Sequence, residues 1–180
     1  MYGHFSKDNL EYIITRPDTP RPWTNYLYNK EYCAIVSQTG GGYSFLTDCR
    51  VNRITRWQGQ NLINDRPGRY IYLRDAQTGN FWSLTWQPVR KDPQSFECRH
   101  GLGYTTITSA YEDITGKITY FVPQDDNLEV WLISIKNNTD RVRKLNIMPS
   151  ISNPSAMTAL TEKPSRQAAA GREPPKNFWK

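Results

Sequence analysis

Long apolar runs are missing from this chain. Nowhere do about 18 apolar residues follow one another, the length a helix needs to cross a bilayer, so no membrane-spanning helix is expected. Histidine and cysteine are scarce. Only His4 and His100 accompany Cys33, Cys49 and Cys98, with no CxxC pair and no zinc-ligand spacing, so the cysteines read as reduced thiols and no metal site is expected. Residues 1–8 have neither the basic nor the apolar region of a signal peptide, which makes the cytoplasm the expected location. Helix signals are nearly absent before Ile147. What is plentiful is aromatic: 13% of the 180 residues, with eleven Tyr and six Trp against a modest 37% hydrophobic total, which excludes wholesale disorder, collagen and coiled coil. A chain of this length fits one domain and buries roughly 70% of its unfolded surface, enough for a core without disulfides.

From about Glu11 to Ile147, short β-branched and aromatic runs alternate with turn residues, the pattern of an all-β protein. The expected strands are Tyr12–Arg16, Tyr32–Gln38, Tyr43–Thr47, Arg53–Trp57, Arg69–Arg74, Phe81–Trp86, Tyr104–Tyr111, Ile114–Val122, Glu129–Lys136 and Arg143–Met148. Ten such strands suggest two sheets. Around Val130–Ile135 both faces are apolar, which predicts a central strand covered on both sides. Thr78-Gly79-Asn80 and Asn137-Asn138-Thr139-Asp140 supply turn chemistry for antiparallel connections, and the sequon at Asn137 reads as part of its turn. Arg16–Trp23 carries Pro17, Pro20 and Pro22, so it is an extended connector that pairs with nothing. The expected division is a β-sandwich over 1–148 and a basic, Pro- and Ala-rich tail over 149–180, disordered or weakly helical.

Few residues suggest chemistry. Gly40-Gly41-Gly42 leads into Tyr43–Leu46 and not into a helix, so it reads as a bend between strands and not as a phosphate cradle. Cys98 and His100 share one face of an extended segment, without a visible oxyanion hole, and read as structural. Arginines interleave with aromatics at Arg53–Trp57 and Arg66–Arg74, but Asp48, Asp65 and Asp75 lie near them, so internal pairing is preferred to a nucleic-acid surface. The net charge of +6 is thin for such a role. Asp65, Asp75, Asp113, Asp125 and Asp126 fall in predicted turns, where they should be solvated, and no catalytic acid is evident. Trp57, Trp82 and Trp86, with the amides of Gln60 and Asn61, are the candidates for stacking on and hydrogen-bonding a sugar.

Several longer motifs are distinctive together: Glu11-Tyr12-Ile13-Ile14-Thr15-Arg16-Pro17-Asp18-Thr19-Pro20-Arg21-Pro22-Trp23-Thr24-Asn25-Tyr26-Leu27, Gly41-Gly42-Tyr43-Ser44-Phe45, Asp65-Arg66-Pro67-Gly68-Arg69-Tyr70-Ile71-Tyr72-Leu73-Arg74-Asp75, and Glu97-Cys98-Arg99-His100-Gly101-Leu102-Gly103-Tyr104-Thr105. With Trp86-Gln87-Pro88-Val89 and Phe121-Val122-Pro123, they resemble, over about residues 2–147, the amino-terminal domain of glycoside hydrolase family ninety-four, the cellobiose, cellodextrin and chitobiose phosphorylases once grouped with glycosyltransferases. The resemblance implies an antiparallel β-sandwich of the galactose-mutarotase type at the front of a longer enzyme. In that enzyme a helical barrel supplies the catalytic acid and inorganic phosphate is the co-substrate, with no metal or organic cofactor. It implies as partners the catalytic barrel, a second subunit and an oligosaccharide; the thin charge and the lack of long apolar runs argue against nucleic acid and membrane. Beyond Ile147 the basic tail departs from the family pattern, so the expectation is a truncated fragment, catalytically silent alone. The alternative is a free-standing carbohydrate-binding module.

Overall fold

Residues 1–55, 57 and 65–151 are described by the structure, a computed structural model. Every regular element among them is a strand. In chain order these are β1 (Gly3–Phe5), β2 (Glu11–Ile14), β3 (Thr24–Tyr28), β4 (Tyr32–Ser37), β5 (Ser44–Leu46), β6 (Arg69–Asp75), β7 (Phe81–Ser83), β8 (Ser95–Gly101), β9 (Tyr104–Tyr111), β10 (Ile114–Phe121), β11 (Val130–Asn137) and β12 (Leu145–Ile151). They form a six-stranded sheet in the order β1-β2-β8-β9-β10-β11 and two three-stranded sheets, β12-β6-β7 and β3-β4-β5, with antiparallel pairing throughout. The two smaller sheets meet at the Gly41–Gly68 bridge.

Period-two burial explains the layering. Along β10, Ile114, Gly116, Ile118 and Tyr120 are buried while the residues between them are less so. The core then draws on both layers: Ile14, Cys98, Ile107, Ile118 and Tyr120 from the large sheet meet Leu27, Ala34, Val36 and Ile71 from the small ones. A second cluster gathers Leu73, Trp82 and Ile114 at the far end of β6.

Charge is buried inside this aromatic and aliphatic packing. Arg69, 1% exposed at its side chain, lies with Nε 2.5 Å from Glu129 Oε1, itself 6% exposed and placed just before β11. Arg69 Nη1 donates to the Ile35 carbonyl in β4, its amide donates to the Gly40 carbonyl, and its own carbonyl accepts from the Tyr120 hydroxyl in β10. One residue of β6 is thereby fastened to all three sheets. Nε and Nη2 make no hydrogen bond among the described residues, so the Glu129 contact is held by charge and proximity. A second buried ion pair, Arg143 to Asp75 at 2.6 Å with Glu112 beside it at 3.2 Å, closes the opposite end of β6.

Several expectations need correction. The strand at Val130–Ile135 is not central: β11 is the edge of the large sheet and pairs only with β10 among the described residues. Its Trp131, Ile133 and Ile135 pack on the core, while Leu132 on the other face is 61% exposed. The turn after it crosses between sheets, because β12 pairs with β6 and not with β11. Arg53–Trp57 is not a strand in its described residues. It contributes a single bridge, Arg53 to Phe45, and Arg56 lies outside the described residues. β1, β3 and β8 go beyond the expected set, and β12 runs to Ile151 through Pro149, three residues past the expected boundary. Residues 152–180, where the tail was expected, lie outside the described residues. The turn at Gly79 does join β6 to β7 as a hairpin, with φ +76° at the glycine.

Removing one member of a buried ion pair strands the other, at a cost of about 3–5 kcal/mol. Arg69→Met should lose stability on that scale in urea denaturation, and adding Glu129→Leu should recover part of it. A loss below about 1 kcal/mol in the single variant would show that the pair does not tie the sheets.

Candidate functional site

At one end of the sandwich the proline-rich connector crosses in front of the loops that follow β4 and β7. The connector joins no strand ladder, as expected, but it bends at Pro17, Pro20 and Arg21, and Gln38 ties it down: Gln38 Nε2 donates to the Pro17 carbonyl and to Thr19 Oγ1, while its Oε1 accepts the Trp23 amide. Between connector and loops lies a cleft of about 210 Å³ lined by Pro17, Asp18, Thr19, Gln38, Asp65, Trp86 and Arg90, among others. A neighbouring cleft of about 410 Å³ shares Pro17, Asp18 and Trp86 and continues to Asp92 and Phe96.

Asp65 belongs to the wall of the first cleft. It was expected in solvent; it is 5% exposed, and Asp75 is 0% exposed. Oδ2 of Asp65 accepts hydrogen bonds from the Ser37 and Thr39 hydroxyls, and Oδ1 accepts the Trp57 indole N–H at 3.1 Å. Burial pushes its pKa above the ordinary carboxylate value, against the pull of those three donors. Asp18, across the cleft, is held below the ordinary value by the Arg16 guanidinium, which donates to both of its oxygens. Two carboxylates pushed apart in pKa are a familiar arrangement for acid–base work, but three of the four acceptor positions of Asp65 are taken by internal donors. It anchors the β4 loop and Trp57, and offers no geometry for protonating a leaving group.

The triple glycine is a bend, as expected: φ is +78° at Gly40 and +123° at Gly42, and a side chain on Gly41 would collide with the Asp65 carboxylate. Three non-glycine residues with left-handed backbone also border this cleft: Asp65 (φ +45°), Trp86 (+70°) and Arg90 (+60°). Each costs about 1–3 kcal/mol and persists only where its surroundings hold it. Gln87 Oε1 supplies part of that hold, accepting from Arg66 Nε and Arg90 Nε, both at 3.2 Å, and the Arg90 guanidinium lies 5.5 Å from the Trp86 ring centre.

The sugar-binding candidates are dispersed. Trp86 stands half-buried at the cleft; Trp57 stacks on Tyr43, 6.3 Å between ring centres, behind Asp65; Trp82 is 3% exposed and packs on Tyr111 in the second core. Gln60 and Asn61 lie outside the described residues. His100 is structural: Nε2 donates to the Trp23 carbonyl, so Nδ1 accepts from Thr105 Oγ1, and burial lowers its pKa to about 4. Cys98 behind it is buried, which raises its thiol pKa well above the usual value, and Cys33 and Cys49 are half-buried and unbridged. The sequence reading singled out none of Asp18, Gln38, Thr39, Gln87 and Arg90 for the site, and took Asp65 for a solvated turn residue. The one available signal was Ser37-Gln38-Thr39, a polar run continuing an apolar strand and wholly buried.

The profile of the glycosyl hydrolase 94 supersandwich domain matches residues 10–168. The chain belongs to this family. The supersandwich is 47% identical over 147 residues to an N,N'-diacetylchitobiose phosphorylase of Vibrio furnissii, covering 81% of this chain and 18% of that protein. It is 36% identical over 151 residues to a 3-O-beta-D-glucopyranosyl-beta-D-glucuronide phosphorylase of Paenibacillus borealis, covering 84% and 18%. A solabiose phosphorylase of the same organism is 33% identical over 149 residues, covering 81% and 19%. The supersandwich thus spans less than a fifth of the length of these relatives.

If Asp65 is an anchor, truncating it leaves buried donors unsatisfied. Asp65→Ala should lower the unfolding free energy by about 2 kcal/mol or more, and Asp65→Asn, which keeps an acceptor, by less. Thermal unfolding of both variants checks this, and an Asp65→Ala protein as stable as the wild type would rule the anchor out.

Proposed function

We propose that this supersandwich works as the scaffold domain of a longer phosphorylase, in the cytoplasm, that cleaves a β-linked disaccharide with inorganic phosphate. The family match over residues 10–168 carries this reading, together with the phosphorylase names of the relatives reported above. The higher identity to an N,N'-diacetylchitobiose phosphorylase, 47% against 36% and 33%, favours an N-acetylated disaccharide over a glucosyl glucuronide or solabiose as substrate. In the proposed reaction a phosphate oxygen attacks the anomeric carbon, the bond from that carbon to the bridging oxygen breaks, and the leaving oxygen takes a proton from a carboxylic acid. A sugar 1-phosphate and a free sugar result. Phosphate replaces the activated water of an inverting hydrolase, so one acid suffices.

No carboxylate among the described residues is assigned that acid role. Asp65 is occupied by Ser37, Thr39 and Trp57, Asp75 by Arg143, and Glu129 by Arg69 and Trp131. The supersandwich contributes position instead, and its surface supports a role as one part of a larger assembly: Leu132 on edge strand β11 is 61% exposed, and Ile147 and Met148 on β12 are 48% and 46% exposed. Further polypeptide of the parent enzyme or a second subunit would cover these exposed apolar side chains.

The purified 180-residue chain, mixed with inorganic phosphate and either N,N'-diacetylchitobiose or cellobiose, should release no sugar 1-phosphate. Turnover above background would place the acid within these residues and defeat the scaffold reading.

A further inference from the structure

Trp86 stands where the two clefts join, and Pro17 and Asp18 face it as part of both. Its setting is unlike that of a core tryptophan. The ring is half-buried, its backbone is held in the left-handed region, and the guanidinium of Arg90 lies 5.5 Å from its centre. Along the smaller cleft the polar groups are planar: the Asp18 carboxylate, the amides of Gln38 and Gln87, and the Arg90 guanidinium. The Gln38 and Gln87 amides are engaged with the connector and with Arg66 and Arg90, which leaves the Asp18 carboxylate as the acceptor for a sugar hydroxyl, and an indole provides the apolar face on which the C–H side of a pyranose packs.

Size points the same way. Compartments of about 210 and 410 Å³ on either side of Trp86 suit a molecule of two ring-sized units better than a single bulky apolar ligand. Charges of both signs line the groove: Asp18 is met by Arg16, and Arg90 stands near Asp65 in the first cleft while Asp92 lines the second. A strongly charged ligand finds no net field of opposite sign there.

We infer that the groove running over Trp86 from Gln38 to Phe96 is a binding site for an uncharged disaccharide, with the indole stacking under one ring and Asp18 accepting hydroxyl hydrogen bonds. The choice of a saccharide rests on the phosphorylase reading given above, whereas the site itself rests on the groove. Asp18 keeps acceptor capacity for this, since each carboxylate oxygen has two lone pairs and Arg16 takes one on each. The surroundings that keep Trp86 and Arg90 in left-handed backbone, Gln87 among them, also hold ring and guanidinium in place before a ligand arrives.

Isothermal titration of the 180-residue chain with N,N'-diacetylchitobiose and with cellobiose, joined to NMR of the Trp86 indole N–H, tests the inference. Saturable binding of at least one of them that shifts the Trp86 signal is expected. Trp86→Ala should weaken it about tenfold, the value of one aromatic stacking contact. Asp18→Asn, at an exposed position where folding is not at risk, should weaken it several-fold. No saturable heat up to the solubility limit of either sugar, or binding unchanged in both variants, overturns the groove. Neither result touches the scaffold reading, which is decided by release of sugar 1-phosphate.

Discussion

The buried guanidinium of Arg69 is the constraint around which this domain is arranged. A charge with 1% side-chain exposure is costly unless partners surround it, and its partners come from everywhere else in the fold: Glu129 before β11, the Ile35 carbonyl in β4 and, through the Arg69 backbone, Gly40 and Tyr120. Seating this one residue, side chain and backbone together, thus engages the six-stranded sheet and both three-stranded sheets. The glycines follow from it. Gly42 brings the chain within reach of the Arg69 guanidinium at φ +123°, and Gly68, just before Arg69, has no room for a side chain beside the Gly40 backbone. The same bend delivers Ser37 and Thr39 to Asp65. The core node and the cleft are therefore two sides of one loop.

Much of the architecture was legible in the sequence because it follows from short-range rules. Short β-branched and aromatic runs located β4, β6, β9 and β10, glycine marked the β6–β7 turn, and three prolines marked the connector that walls the cleft. Where reading failed, the deciding contacts were distant. β11 has apolar residues on both faces, which describes a covered strand; in the described residues one face is covered and Leu132 is not. Apolarity states what a face requires, and not whether a partner lies within the same 180 residues. β3 was hidden because Thr24–Tyr28 follows directly on the prolines, and β8 because Cys98 and His100 drew attention to reactivity in what is a paired strand.

The cleft was nearly invisible for a related reason. Asp65 looks like a turn aspartate, and only the fold shows that its hydroxyl donors stand 28 and 26 residues before it in sequence. Trp86 was noticed, but alongside Trp82, which alternation along the chain turns into the core and against Tyr111. Left-handed backbone at a tryptophan has no sequence signature, since nothing in its side chain favours it. Strain of that sort records the surroundings and not the residue.

Native-state hydrogen exchange tests directly whether Arg69 binds the three sheets into one cooperative unit. If it does, the slowest amides of β4, β6 and β10 exchange with a common free energy and a common dependence on urea, that of global unfolding. If the amides of β3, β4 and β5 exchange instead through a smaller opening of their own, the small sheet is an independent appendage and Arg69 is not what holds the domain together.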